Sequence, residues 1–184
     1  MRRVPRHLFL PKEIRFKSYW DGPQTIGYGQ TISQPYIVAL MTNALNLTGA
    51  EKVLEIGTGC GYQTAILAEM AREVHSIEIV SALHERAKKL LRDLGYSNIH
   101  CHLGDGHFAW KDDAPYDAII VTCAASSFPQ VLADQLAGGG LLCIPEGQAY
   151  STQTLYLYRK VNADLERREL LYVRFVPMVN TRSL

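Results

Sequence analysis

Net charge, long apolar runs and paired cysteines are all scarce in this chain, and each scarcity removes a class of function. Lys and Arg exceed Asp and Glu by only one across 184 residues, so charge gives no reason to expect nucleic acid or a membrane surface as a partner. No apolar stretch approaches the ~20 residues that span a bilayer. The basic start Met1-Arg2-Arg3-Val4-Pro5-Arg6 has no apolar run behind it, so no signal peptide is expected. The four cysteines, Cys60, Cys101, Cys123 and Cys143, form no C-x-x-C pair; the pattern reads as free thiols in a reducing cytoplasm. Repeats, low-complexity tracts and linkers are absent, as is any Cys/His or Ser/His/Asp arrangement suited to nucleophilic catalysis. What remains, 47% hydrophobic and 20% charged residues, is the composition of one ordinary soluble globular unit.

From residue 52 the pattern alternates strand and helix. Strands are expected at 52–56, 73–79, 99–103, 116–122 and 141–144, with helices at 61–71, 81–94 and near 129–136. This alternation predicts an α/β fold, a Rossmann-like, mostly parallel sheet with helices on both faces. The segments 152–160 and 168–177 add a C-terminal antiparallel strand pair turned around Asn162-Ala163-Asp164. Residues 1–32 read as irregular. Behind them Ile37, Leu40, Met41, Ala44 and Leu45 recur at helical spacing, with Ser33 as the N-cap and Pro35 in the first turn. The chain is expected to be a single domain: an N-terminal segment and helix on the substrate side over 1–48, a cofactor-binding core over 49–147 and C-terminal strands over 148–184.

The organising stretch is Val53-Leu54-Glu55-Ile56-Gly57-Thr58-Gly59-Cys60-Gly61-Tyr62, a strand running through three alternate glycines into a helix. Glycines there let a ligand lie against the main chain, and the helix behind them offers unpaired N–H groups. The spacing differs from the G-x-G-x-x-G of dinucleotide binders and lacks the Gly-Lys-Ser/Thr of a phosphate-cradling loop. Glu78 closes the second strand 21 positions after Gly57, near the ~20 expected of an acid that holds ribose hydroxyls. Asp105, between Gly104 and Gly106, suits either an adenine amine or a local turn cap. Glu55 suits either a satisfied strand carboxylate or an electrostatic role beside a cationic cofactor. His100 and His102 share a strand face opposite Cys101; two ligands without a third do not make a metal site, and none is expected. His7, His75, His84 and His107 suggest nothing. Tyr156, Tyr158 and Tyr172 read as strand packing.

The glycine turn resembles the nucleoside-binding turn of class I methyltransferases, which bind S-adenosylmethionine. Further blocks sharpen the likeness: Val4-Pro5-Arg6-His7-Leu8-Phe9, then Ile26 to Tyr36 with its Gly29-Gln30-Thr31-Ile32-Ser33-Gln34-Pro35, Val53 to Ala68, Gly104-Asp105-Gly106, Pro115 to Ala124, and Val173 to Pro177. On these residues the chain resembles the bacterial protein-L-isoaspartate O-methyltransferases, which repair damaged aspartyl and asparaginyl residues. The resemblance implies a cytoplasmic, monomeric enzyme that uses S-adenosylmethionine and acts on isoaspartyl-containing peptides and proteins. It implies Ser33 as the catalytic residue, Thr31 and Ile32 on the substrate side, and cofactor contacts from Glu55, Gly57, Thr58, Gly59, Gly61, Glu78, Asp105 and Gly106.

Departures from the family pattern carry expectations of their own. Members usually have more helical sequence before the Val-Pro-Arg block, so two other readings stand: a methyltransferase for another peptide carboxylate, or a cofactor-binding module with little turnover. Cys60 replaces a common serine, a small-for-small change. Cys123-Ala124-Ala125 stands where Ala-Ala-Pro is usual, which predicts a looser loop. Glu146 stands where an apolar residue is usual, and the sequence gives no reason for it.

Overall fold

Seven hydrogen-bonded strands carry everything else. The structure, a computed structural model, describes residues 1–180; positions 181–184 of the expected C-terminal segment lie outside the described residues. Ahead of the sheet, residues 1–32 are more ordered than their prolines suggest, with 3-10 turns at Arg6–Phe9 and Lys12–Lys17 and a hairpin of β1 (Gln24–Gly27) and β2 (Gln30–Ile32). The hairpin turns through Gly27, Tyr28 and Gly29, all at positive φ, which is why a three-residue glycine-flanked bend makes strands and not a loop.

Helix α1 (Pro35–Ala44) is followed by β3 (Lys52–Ile56), α2 (Tyr62–Ala68), β4 (Glu73–Glu78), α3 (Ser81–Asp93), β5 (Ile99–Leu103), β6 (Tyr116–Val121), α4 (Gln130–Gln135), β7 (Leu136–Glu146), β8 (Gln153–Val161) and β9 (Asp164–Val173). The spatial order is β5-β4-β3-β6-β7-β8-β9. Strands β5 to β7 in that order are parallel, and β8 and β9 run antiparallel as a meander. The alternation read from the sequence is therefore the sheet itself. Three boundaries move for tertiary reasons. Helix α2 stops at Ala68 because the N–H groups of Arg72 and Glu73 turn to Glu51 O. Strand β7 begins at Leu136 and runs through three glycines, because a bulge in its ladder with β6 lies there and a Cβ on Gly140 would sit 2.8 Å from Asp117 O. Strand β9 starts at Asp164, four residues early, because the turn is confined to Asn162 and Ala163, and it ends at Val173, four residues short of the expected 177.

Side chains alternate between the two faces of the sheet. On one face Val53, Val74, Ala118 and Ile120 pack against Ile37 and Met41 of α1, Leu45 just after it and Leu67 of α2. On the other, Leu54, Ile56, Ile77, Ile119, Val121, Leu142 and Ile144 pack with Leu132 of α4, Leu136 and Tyr116. The amino-terminal turns and hairpin add Val4, Phe9, Ile26 and Ile32 over Tyr62 and Ile66 of α2 and Leu83 and Leu91 of α3. Each such side chain contributes about 1.5–3 kcal/mol on burial, so the amino-terminal segment is held to the outer side of α2 and α3 by its own core.

Two surprises from the sequence find explanations. Glu146 accepts a 2.6 Å bond from the Tyr158 hydroxyl, so its departure from an apolar residue is matched by a donor on the neighbouring strand. The Cys123-Ala124-Ala125 loop is pinned by Ala124 N to Val176 O, Met178 N to Ala124 O and Ala125 N to Pro145 O, which supplies the constraint a proline ring would give. All four cysteines are unpaired thiols. Among the described residues no helix is long and apolar enough to cross a membrane.

Candidate active site

Strand β3 ends at Ile56, and the next three residues double back over its carboxyl end. Gly57, Gly59 and Gly61 adopt φ of 98°, 55° and 87°, values that side-chain-bearing residues rarely hold. Gly57 has a second reason to lack a Cβ: one built there would lie 2.5 Å from Thr122 Oγ1, the hydroxyl that donates to Gly57 O at 2.7 Å and faces Ile56 O at 3.0 Å. The bend is fastened to β4 by Gly57 N–H and Thr58 N–H, both donating to Ile77 O.

A cleft opens beyond the carboxyl ends of β3, β4 and β6, where open parallel sheets bind ligands. Gly57, Gly59, Glu78 and Gly106 all line it, together with Ile56, Ile77, Ile79, Thr122, Thr31 and the segment Val176 to Val179. Glu78, 5% exposed, accepts from Gly59 N–H at 2.7 Å and Val80 N–H at 2.9 Å, one on each oxygen. A carboxylate has about four lone-pair directions, so this cleft-lining residue keeps capacity for two further donors. Gly106 is required by close approach, since a Cβ there would meet Ile56 Cγ2 at 2.3 Å.

The remaining cofactor candidates sit elsewhere. Glu55 is fully buried in β3 and outside the cleft wall; its Oε2 accepts from Thr64 Oγ1 at 2.5 Å and Ser76 Oγ at 2.6 Å, and Oε1 has no hydrogen-bond partner among the described residues. Burial pushes its pKa up to about 8, which favours the uncharged acid at neutral pH. That corrects the expectation of an electrostatic role beside a cation. Period-two alternation put Glu55 on the α2 face, and the hydroxyls that satisfy it come from α2 and β4, which sequence reading did not join. Thr58 is 4% exposed and bonds Ser76 Oγ at 2.5 Å, so its side chain braces the bend from beneath. Gly61 begins α2 and packs on Leu91 and Ala87 of α3. Asp105 follows its turn-cap reading: Oδ1 accepts from His107 N–H at 2.9 Å.

Ser33 is held from behind. The Arg6 guanidinium, 1% exposed, donates through Nη2 to Ser33 O at 2.6 Å and through Nε to Ser18 O at 2.8 Å, and lies 4.8 Å from the Tyr62 ring centre. Ser33 is not the N-cap of α1. Gln34 occupies that position without a side-chain capping bond, with Pro35 at N1 as expected. The carboxylate of Asp21 serves the helix start instead, accepting from Tyr36 N–H at 3.2 Å and Gln34 Nε2 at 3.0 Å. The Ser33 hydroxyl is thereby spared a structural duty. Ser33 borders a groove of about 500 Å³ with Tyr36, Ile37, Thr152, Tyr172, Arg174 and Phe175. A smaller cavity of about 40 Å³ is lined on one side by Thr31, Ile32 and Ser33 and on the other by Gly57, Thr58 and Gly59. Thr31 borders all three spaces.

Sequence reading missed Arg6, Thr122 and the 171–179 segment as parts of this site. Arg6 and Thr122 lay inside noted blocks without any signal of direction; only the fold aims them. Cys123 also walls the cleft, with burial pushing its thiol up to about 12, so it lines the cleft without acting as a nucleophile.

Comparison with known proteins agrees with this architecture. The family described as Protein-L-isoaspartate(D-aspartate) O-methyltransferase matches residues 1–183. A Picosynechococcus protein named protein-L-isoaspartate O-methyltransferase is 54% identical over 178 residues, covering 97% of this chain and 79% of the relative. A solved protein-L-isoaspartate O-methyltransferase superposes with a TM-score of 0.84 at 29% identity, over 95% of this chain, which spans 58% of that structure's chain. A Plasmodium falciparum structure assigned to the same enzyme and holding S-adenosyl-L-homocysteine gives 0.81 at 28% identity, over 97% of this chain and 88% of its own. With a matching profile from end to end, the same fold and the glycine bend and Ser33 block in place, this chain belongs to the protein-L-isoaspartate(D-aspartate) O-methyltransferase family.

Proposed function

We propose that this chain transfers a methyl group from S-adenosylmethionine to the free carboxylate of L-isoaspartyl residues in damaged peptides and proteins, a repair reaction. The observation that carries the reading is the small cavity bordered by Ser33 on one side and by Gly57 and Gly59 on the other. A donor on the glycine bend and an acceptor at Ser33 meet there.

The residues present fit the cofactor. Glu78, in the cleft lining, has lone-pair capacity left for two ribose hydroxyls. Ile56, Ile77 and Ile79 provide an apolar wall for a base, and bare main chain at Gly57 and Gly59 admits close approach. When bound, the cofactor supplies an electrophilic methyl group on a sulfonium centre. The acceptor carboxylate, with an ordinary pKa of about 3.3–3.9, is already ionised at neutral pH, so the chain needs no general base and offers none. Its task is positioning, for which well-oriented intramolecular reactions suggest up to roughly 7–11 kcal/mol. Ser33 Oγ–H, on a backbone fixed by Arg6, donates to the acceptor carboxylate. The groove beyond, walled by Tyr36, Tyr172 and Phe175, takes the peptide around the isoaspartyl residue, with Thr31 and Ile32 at its inner end. The following backbone nitrogen then attacks the methyl ester, expels methanol and closes a succinimide, which water reopens partly to normal aspartate.

The same reading makes the protein a monomeric cytoplasmic enzyme without nucleic-acid or membrane partners. The near-zero net charge and the four unpaired thiols support it. Radiolabelled methyl transfer to an isoaspartyl peptide, compared with its normal aspartyl twin, is the test. Labelling confined to the isoaspartyl peptide is expected; equal labelling, or none, refutes the assignment.

A further inference from the structure

Away from the cleft, on the sheet face opposite α2, the outer strands β4 and β5 bring together three histidines and two carboxylates. His75 is 2% exposed; its ring stacks on His100 at a ring-centre distance of 4.7 Å and meets His102 edge to edge, nearly coplanar, at 5.3 Å. The pairing of β4 with β5 sets His75 opposite His100 and two residues from His102 on the same face. The 3-10 turn at Lys111–Asp113 adds Asp113 from above. Thus His75, which signalled nothing in the sequence, lies beside both histidines of the β5 face, and Asp113 supplies the further ligand that His75 and His102 need.

We infer that His75, His102 and Asp113 form a site for a divalent transition-metal ion of the zinc class. His75 Nδ1 lies 3.1 Å from His102 Nε2 and 3.3 Å from Asp113 Oδ2, and all three ligand atoms fall within 4.8 Å of one another. Tetrahedral zinc with bonds of about 2.0–2.1 Å to nitrogen has ligand-to-ligand edges of about 3.3 Å, so two edges are already at length. The supporting contacts are those that ligands need. Glu73 Oε1 lies 3.0 Å from His75 Nε2; accepting that ring proton leaves Nδ1 as a lone pair. Trp110 Nε1–H donates to Asp113 Oδ2 at 2.9 Å and its ring stacks on His102 at 4.0 Å. With the Nε2 proton on Glu73, His75 Nδ1 turns a lone pair toward His102 Nε2 and Asp113 Oδ2, and a cation placed among these three atoms is met by a lone pair from each. The nearby Lys52 ammonium is engaged by Asp113 O and reaches the backbone, leaving the carboxylate to the ion. Asp113 is 42% exposed, so a fourth position is open to water and the ion has a way in. Glu73, His75 and His100 form a second grouping, which uses Nε2 of the same ring. The two are exclusive choices of tautomer, and the contacts of Trp110 favour the first. The ion ties β4 and the edge strand β5 to the segment that descends from Gly106, and its role is to stiffen that flank of the fold.

The test uses the untagged full chain stripped with chelator, titrated with zinc by calorimetry and with cobalt by visible absorption. One ion per chain is expected, with tetrahedral cobalt bands and a rise in Tm of roughly 5–10 °C at a hundredfold excess over Kd. His102→Ala and Asp113→Asn should each weaken binding at least tenfold, Glu73→Gln by roughly 10–100-fold, and His100→Gln not at all. Melting of each variant in chelator checks that it folds. No binding, binding of equal strength in every folded variant, or loss in His100→Gln with retention in His102→Ala overturns the site.

Discussion

Replacing Glu55 by Gln separates two roles that a carboxylate in the glycine-turn motif can have. In this fold the side chain is fully buried, and burial outweighs the hydroxyls of Ser76 and Thr64 that would favour the anion, placing its pKa at about 8 against an ordinary 4.5. An acid held above its ordinary value binds more protons folded than unfolded. Its contribution to stability is therefore complete below about pH 4.5 and is lost as pH rises through about 8. At about 1.36 kcal/mol per pH unit, with the slope partial near each pKa, the wild type should lose roughly 3–4 kcal/mol between pH 5 and pH 8 through this group alone. The amide of Glu55→Gln keeps the shape and cannot titrate. Urea unfolding of both proteins at intervals from pH 5 to 8 isolates the effect, because other titrating groups cancel in the difference. The variant should gain on the wild type by roughly 3–4 kcal/mol across that range and keep its cofactor affinity at pH 7 within about threefold. Parallel stability curves would show that Glu55 is ionised in the fold, and a large loss of affinity would restore it as a counter-charge to the cofactor.

Ser33→Ala should lower kcat by roughly 10–150-fold, the worth of a hydrogen bond to a charged group, with the dissociation constant of S-adenosylmethionine unchanged by calorimetry; weakened cofactor binding would mark Ser33 as structural. Gly106→Ala sets a methyl against Ile56 Cγ2 and should cost about 1–3 kcal/mol of stability, with weaker cofactor binding, read by thermal melting and titration. Arg6→Met strands the carbonyls of Ser18 and Ser33 at about 1–3 kcal/mol each. Steady-state kinetics should show kcat falling further than in Ser33→Ala, since the backbone beneath the hydroxyl loosens as well.

Much of this protein is local and therefore written in its order of residues. The strand and helix periods of residues 52–146, the three-glycine bend and Glu78 at its interval depend on neighbours a few positions apart, and a parallel sheet with a cleft at its carboxyl edge follows from them. The block around Ser33 was legible for the same reason. Direction was not. Whether Glu55 points to cofactor or core, and whether Ser33 or distant Asp21 tends the start of α1, depends on which faces are packed against what. Arg6 reaches Ser33 across 27 residues, and β7 begins ahead of its glycines because Leu136 pairs with Tyr116 before the ladder with β6 resumes at Leu141. His75 and Asp113, 38 positions apart in sequence, meet only because β4 and β5 pair in one register and a short turn folds over them. Sequence fixes what each stretch prefers by itself. Long-range pairing and burial decide which side chains converge, because those free energies exist only once the chain has closed on itself.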